Sequence, residues 1–146
     1  MDFITAEQFR CQTEEVKNIF LKWWKPSIGD LFEDSVSFDI VSLCYGNRIY
    51  PFRKSFVFKK LDCIPLFTEG QLRRFIENKC NCLLDVKVEN LHDNCNEYTV
   101  TGWEIKELEW GKEFGRILFE YHMATEDLLQ LYWEIACSVA KDSLNN

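Results

Sequence analysis

Between Thr13 and Trp24 the apolar residues recur at three- and four-residue intervals: Val16, Ile19, Phe20, Trp23 and Trp24. That spacing lays them along one face of an α-helix and turns Lys17, Asn18 and Lys22 outward. Thr13 followed by Glu14 and Glu15 supplies an N-cap and places acids at the positive end of the helix dipole. Pro26 ends the helix, because the residue before a proline avoids the helical region. Gly29-Asp30 then turns the chain. A shorter helical turn is predicted at Thr5, whose spacing to Gln8 is that of a capping box. The adjacent tryptophans therefore read as core residues packing this helix on a sheet. Their other reading is an interface anchor at the helix end.

Further along, the period changes. "VSFDIVSLCY" (36–45) and "RIYPFRKSFVF" (48–58) read as strands, with Gly46-Asn47 as a hairpin turn between them and Pro51 marking an edge. Thr68 and Gln71 open a third helix with Leu72, Phe75 and Ile76 as its stripe. "CLLDVKVENL" and "EYTVTGWEIKEL" are predicted as strands joined by "HDNCN", and "RILFEYH" as the strand after them. A last helix is predicted from an N-cap at Thr125. Its apolar set, from Leu128 to Ala140, is broad enough to be buried on most sides. The expected fold is α+β, one domain over 1–146, with antiparallel sheet and helices packed on one face.

Composition supports a folded chain. The 146 residues are 47% hydrophobic and 15% aromatic, which argues against disorder. The start lacks the apolar core of a signal peptide and no apolar run spans a membrane. A cytoplasmic location in the host cell is expected, with no membrane partner. Seven cysteines in irregular spacing do not make a disulfide framework. Cys44 and Cys63 read as small core hydrophobes.

The net charge is −7. It disfavours direct nucleic-acid binding, which requires neutralising phosphate. The one basic cluster is "RKSFVFKK", Arg53 to Lys60. An acidic surface fits a basic protein partner, including one that itself holds nucleic acid.

Three chemical constellations arise. Asp85, with Glu104 and Lys106 of "EIK" on the next strand, resembles the acid and (D/E)-x-K pattern of PD-(D/E)xK nucleases. In those enzymes the carboxylates hold a divalent ion and the lysine assists water attack. The competing reading is a polar outer face, with Asp85, Lys87, Glu104 and Lys106 together and Leu84, Val86, Val88, Trp103 and Ile105 inward. Cys80, Cys82, His92 and Cys95 are the second set. Cys-x-Cys is not the usual zinc knuckle, and a hairpin would hold the two halves on the order of 30 Å apart. His122 is the third, and reads as a partly buried structural residue. No catalytic residue, metal or cofactor is expected. From Thr68 to Lys141 the order α-β-β-β-α is that of double-stranded-RNA-binding domains, but "TEDLLQ" puts acids where such domains carry phosphate-binding lysines.

"FLKWWKPSIGDLF", "CIPLFTEGQLRRFIENK" and "TEDLLQLYWEIACSVAK" resemble, in the same order, blocks of small prophage proteins of Firmicutes without an assigned activity. The resemblance implies a phage accessory product. By analogy, small acidic phage proteins often act by binding a host protein, including defence enzymes such as CRISPR effectors. The expected function is therefore a non-enzymatic protein-binding module, an inhibitor of a host defence nuclease. Its binding acids would be Asp30, Glu33 and Asp34, or Glu104, Glu107 and Glu109. The alternative is the nuclease using Asp85, Glu104 and Lys106.

Overall fold

Thr5 folds the chain at once: its hydroxyl accepts from the Gln8 N–H while Gln8 Oε1 accepts from the Thr5 N–H, a closed capping box that starts α1 (Ala6–Arg10). Thr13 likewise caps α2 (Glu14–Trp23) through the Val16 N–H. The computed structural model describes residues 2–34, 38–44, 48–50, 63–90, 96–125 and 127–145. It is α+β, and every strand pair is antiparallel. Among these residues the strands make two sheets, and the chain's contacts group into two units, Met1–Thr68 and Glu69–Asn146.

The first unit adds β1 (Leu31–Asp34), β2 (Ile40–Cys44), β3 (Arg48–Tyr50) and β4 (Cys63–Pro65) in the order β3-β2-β1-β4. The strands expected at 36–45 and 48–58 correspond to β2 and β3. The Gly46-Asn47 turn, Pro51 and the basic cluster lie outside the described residues. Pro65 sits on the edge strand β4, where its missing N–H breaks no ladder. The core gathers on Phe67, whose ring centroid lies 5.6 Å from Phe20, 6.1 Å from Trp23, and 6.4 Å from both Phe9 and Trp24. Trp24 and Cys63 are buried, as their patterns predict.

The second unit runs α3 (Glu69–Cys80), β5 (Cys82–Asn90), β6 (Asn96–Leu108), β7 (Gly111–Thr125) and α4 (Leu128–Asp142). The predicted α-β-β-β-α order holds. Its sheet is a meander, β5-β6-β7. Leu84, Val100, Gly102, Phe119 and Tyr121 share one face, which the helices cover. Leu84 and Val100 are buried there, and Tyr121 Oη lies 3.3 Å from Ser138 Oγ on α4. Most of the apolar set of α4 is buried, including Tyr132, Trp133, Ile135 and Ala136. Its N-cap is Asp127, accepting from the Leu129 N–H at 2.9 Å; Thr125, expected in that role, ends β7 instead.

As an edge strand, β5 exposes backbone groups that would template another strand. Two side chains of α3 answer part of that need. The Leu84 N–H donates to Glu77 Oε1 at 3.1 Å, and the Leu84 C=O accepts from Arg73 Nη2 at 2.6 Å. Arg73 Nε and Glu77 Oε1 are themselves 3.2 Å apart, so the pair serves Leu84 as a neighbouring strand would.

Candidate functional site: the outer face of the second sheet

The face of β5-β6-β7 turned away from α3 and α4 has a polar half and an apolar half. Register sets its members. Asp85 pairs with Thr101 and Thr101 with Glu120; Lys87 pairs with Thr99 and Thr99 with His122. Two residues further along β6 comes Trp103, paired with Leu83 and Ile117, and then Ile105, paired with Phe114. Paired residues in an antiparallel ladder point to the same side, and residues two apart return to it.

The polar half is one hydrogen-bonded chain. Thr99 Oγ1 and His122 Nδ1 share a bond of 3.0 Å, His122 Nε2 and Glu120 Oε1 one of 2.9 Å, and Thr101 Oγ1 donates to Glu120 Oε2 at 3.3 Å. A hydroxyl, an imidazole and a carboxylate in series is the order of a nucleophilic relay. Here the chain lies on an open surface, with the His122 side chain 55% exposed. Thr99 is mid-strand in the central strand, so nearby N–H groups serve the ladders and none is left as an oxyanion donor. His122 is thus an exposed sheet residue, not the partly buried one its sequence context suggests.

The apolar half runs from Trp103 and Ile117 onto an arm. Pairing with β5 stops at Cys82–Glu104, so among the described residues Ile105–Leu108 and Gly111–Phe114 pair only with each other. Glu109 and Trp110 make the reversal, and Gly111 follows at φ +143°, a conformation that L side chains rarely adopt. β7 has 15 residues against 13 in β6, and two register shifts, beside Trp103, absorb the difference. Trp110 is 82% exposed, Phe114 62% and Ile117 50%. Trp103 and Phe114 meet edge to face, with centroids 5.9 Å apart at 65°. With Asp85 they line a recess of about 250 Å³.

The predicted acids fall in two places. In the first unit, Asp30 is a part-buried acceptor: Trp24 Nε1 donates to it at 2.9 Å and the Ser27 N–H at 3.0 Å. Glu33 pairs with Arg10, and Asp34 is buried. Asp30 and Glu33 are thus engaged within the first unit, and Asp34 is the buried one of the three. In the second unit, Glu104, Glu107 and Glu109 lie on or beside the arm. Glu104 is half-buried and 3.8 Å from Arg116; Glu107 is exposed and 3.9 Å from Lys112; Glu109 is exposed at the tip.

The nuclease constellation does not assemble. Glu104 pairs with Cys82 and Asp85 with Thr101 in an unbroken register, so the two carboxylates point to opposite faces of the sheet. Glu104 and Lys106 share the side of Gly115, where an added Cβ would crowd both. The polar outer face is corrected by the same register: Trp103 and Ile105 stand with Asp85, and Glu104 with buried Cys82. Of the proposed metal set, His92 and Cys95 lie outside the described residues. Cys80 and Cys82 are hydrogen-bonded to each other; the bond from Cys82 lowers the Cys80 thiol, and together with burial raises that of Cys82. Among the described residues no helix is long and apolar enough to cross a membrane.

Comparison with family models, curated proteins and solved structures finds no match for this chain.

The Asp85–Trp103–Phe114 recess went unpredicted.

Proposed function

We propose that this chain is a non-enzymatic protein-binding module whose binding element is the β6–β7 arm. The observation that carries this reading is the exposure of Phe114 on the strands that extend past their sheet, of Trp110 at their turn and of Ile117 at their base. Aromatic anchors ringed by charge are the composition of an interface rather than of an idle surface. Glu107, Glu109 and Glu113 stand beside them, and the whole chain carries −7. A basic protein surface is the complementary partner.

The specific form of the proposal is a phage-encoded inhibitor of a host defence nuclease of the CRISPR type, acting in the host cytoplasm. Such a nuclease presents a cationic nucleic-acid channel, and carboxylates beside aromatic anchors suit that surface. The acid at the start of α4, Asp127, would repel phosphate and speaks against direct nucleic-acid binding. The nuclease alternative has no geometric support, because its carboxylates are separated by the sheet.

Affinity capture from bacterial lysate tests the proposal. The wild-type chain should retain one basic protein at near-equal stoichiometry, released by raised salt. A Trp110→Ser, Phe114→Ser variant should lose it. Capture of housekeeping chaperones alone, or capture unchanged by the variant, would contradict the reading.

A further inference from the structure

The recess beside the arm has a definite chemistry. Its walls are two aromatic rings set edge to face, Trp103 and Phe114, and its third side is the Asp85 carboxylate. All three sit on the same sheet face by register. Asp85 is exposed, and no hydrogen bond or ion pair involves its side chain among the described residues. The recess, about 250 Å³, is below the range of drug-sized ligand pockets. It suits one side chain.

A carboxylate beside an aromatic pair selects for a cation. The rings attract positive charge through their quadrupoles, and the carboxylate neutralises it. Among cationic side chains, guanidinium makes fuller use of this geometry. It is planar, so it can lie flat on an indole while its N–H fork meets the two carboxylate oxygens. An ammonium is a compact, strongly hydrated charge that cannot do both at once. Resting on the protein-binding reading above, we infer that the Asp85–Trp103–Phe114 recess is a receptor for an arginine side chain of the partner. The basic partner is thereby held by one specified anchor as well as by general charge.

The assignment explains an otherwise unfavourable placement. Trp103 stands on the outer sheet face with Phe114, 62% exposed, against it. An arginine stem and guanidinium would cover both rings without forcing the Asp85 charge into an apolar contact.

The test is a titration of the full chain, labelled with nitrogen-15 at its tryptophan indoles, with acetyl-Gly-Arg-Gly-amide. The Trp103 indole signal should move saturably at millimolar peptide, while that of buried Trp133 stays fixed. The same peptide with citrulline for arginine, equal in shape but uncharged, should leave Trp103 unmoved. The lysine peptide should bind several-fold more weakly. Asp85→Asn, at an exposed position that does not threaten folding, should weaken arginine binding at least about fivefold, and Phe114→Ala should do the same. An unmoved Trp103, equal binding of citrulline, or undiminished binding by Asp85→Asn would overturn the inference. Tighter lysine binding would overturn the guanidinium assignment. Partner capture that depends on the arm without any arginine effect at Trp103 would retain the binding module and reject this receptor. Arginine binding without partner capture would do the reverse.

Discussion

Trp24 Nε1 donates to Asp30 Oδ2 at 2.9 Å across the turn that follows α2. The bond joins the second of the paired tryptophans to an acid that the sequence offers as a binding residue. It gives both a structural role: the ring is 1% exposed and packs edge-on against Phe67, and the carboxylate also holds the Ser27 N–H. Trp23, half-buried against the same phenylalanine, belongs to the same cluster.

Trp24→Ala should therefore cost about 3–5 kcal/mol of stability by denaturant unfolding, and Trp133→Ala a similar amount. Trp24→Phe keeps most of the packing but leaves Asp30 without its indole donor. It should cost about 1–3 kcal/mol. Lys22→Ala, on the exposed side of the same helix, should cost under ~0.5 kcal/mol. An unchanged unfolding midpoint in Trp24→Ala would mean that the ring is not in the core.

Gly102 is required by Phe119, whose ring lies where a Cβ would project. Gly102→Ala should cost about 1–3 kcal/mol, since the ring must leave its position against Tyr121. In Gly102→Ala combined with Phe119→Leu the two losses should fall short of additive, which a double-mutant cycle on unfolding free energies would detect.

Stability should fall on the alkaline side. Burial raises the Tyr132 hydroxyl from 10.0 to about 12 and the Cys137 thiol from 9.0 to about 12. Both groups are neutral when protonated, so between these values the folded chain holds protons that the unfolded chain has released. The stabilisation is full below pH 9, and the slope of unfolding free energy is negative from there to about pH 12. Tyr132→Phe should flatten the part of that slope above pH 10. A profile level from pH 9 to 12 would contradict the burial of both groups.

Thiol labelling should follow access and thiolate character. Cys11, which is exposed, and Cys80, which is held low by the Cys82 hydrogen bond, should react before Cys82 and Cys137. Mass-resolved alkylation at neutral pH reads the order. Labelling of Cys137 ahead of Cys80 would contradict it.

The elements were largely legible where periodicity and caps agreed. Thr5 with Gln8, Thr13 with Val16, and the stripe Leu72, Phe75 and Ile76 are local signals, and local hydrogen bonds realise them. The short strands β1 and β4 were not legible: "LFED" and "CIP" are too brief to show alternation, and only pairing with each other and with β2 makes them strands. The far end of β7 was lost for another reason. Lys112 to Gly115 carries no strand pattern, and the Glu109-Trp110 reversal lacks the usual turn residues; Gly111 alone marks it. The faces of β5 and β6 were individually legible but their relation was not. Alternation places Leu84 and Trp103 each on a side of its own strand, while the pairing register between the two strands fixes whether the sides coincide. They do not, because Leu84 pairs with Gly102. That one-residue difference dissolves the nuclease constellation and creates the arginine recess.

The most direct test of the account is site-specific photo-cross-linking in host cells, with benzoylphenylalanine at position 110 or 114 of the arm and at position 22 of α2 as control. One basic protein should cross-link from positions 110 and 114, diminished by Asp85→Asn, and none from position 22. Cross-linking from position 22 with the arm silent, or from all three positions alike, would contradict it.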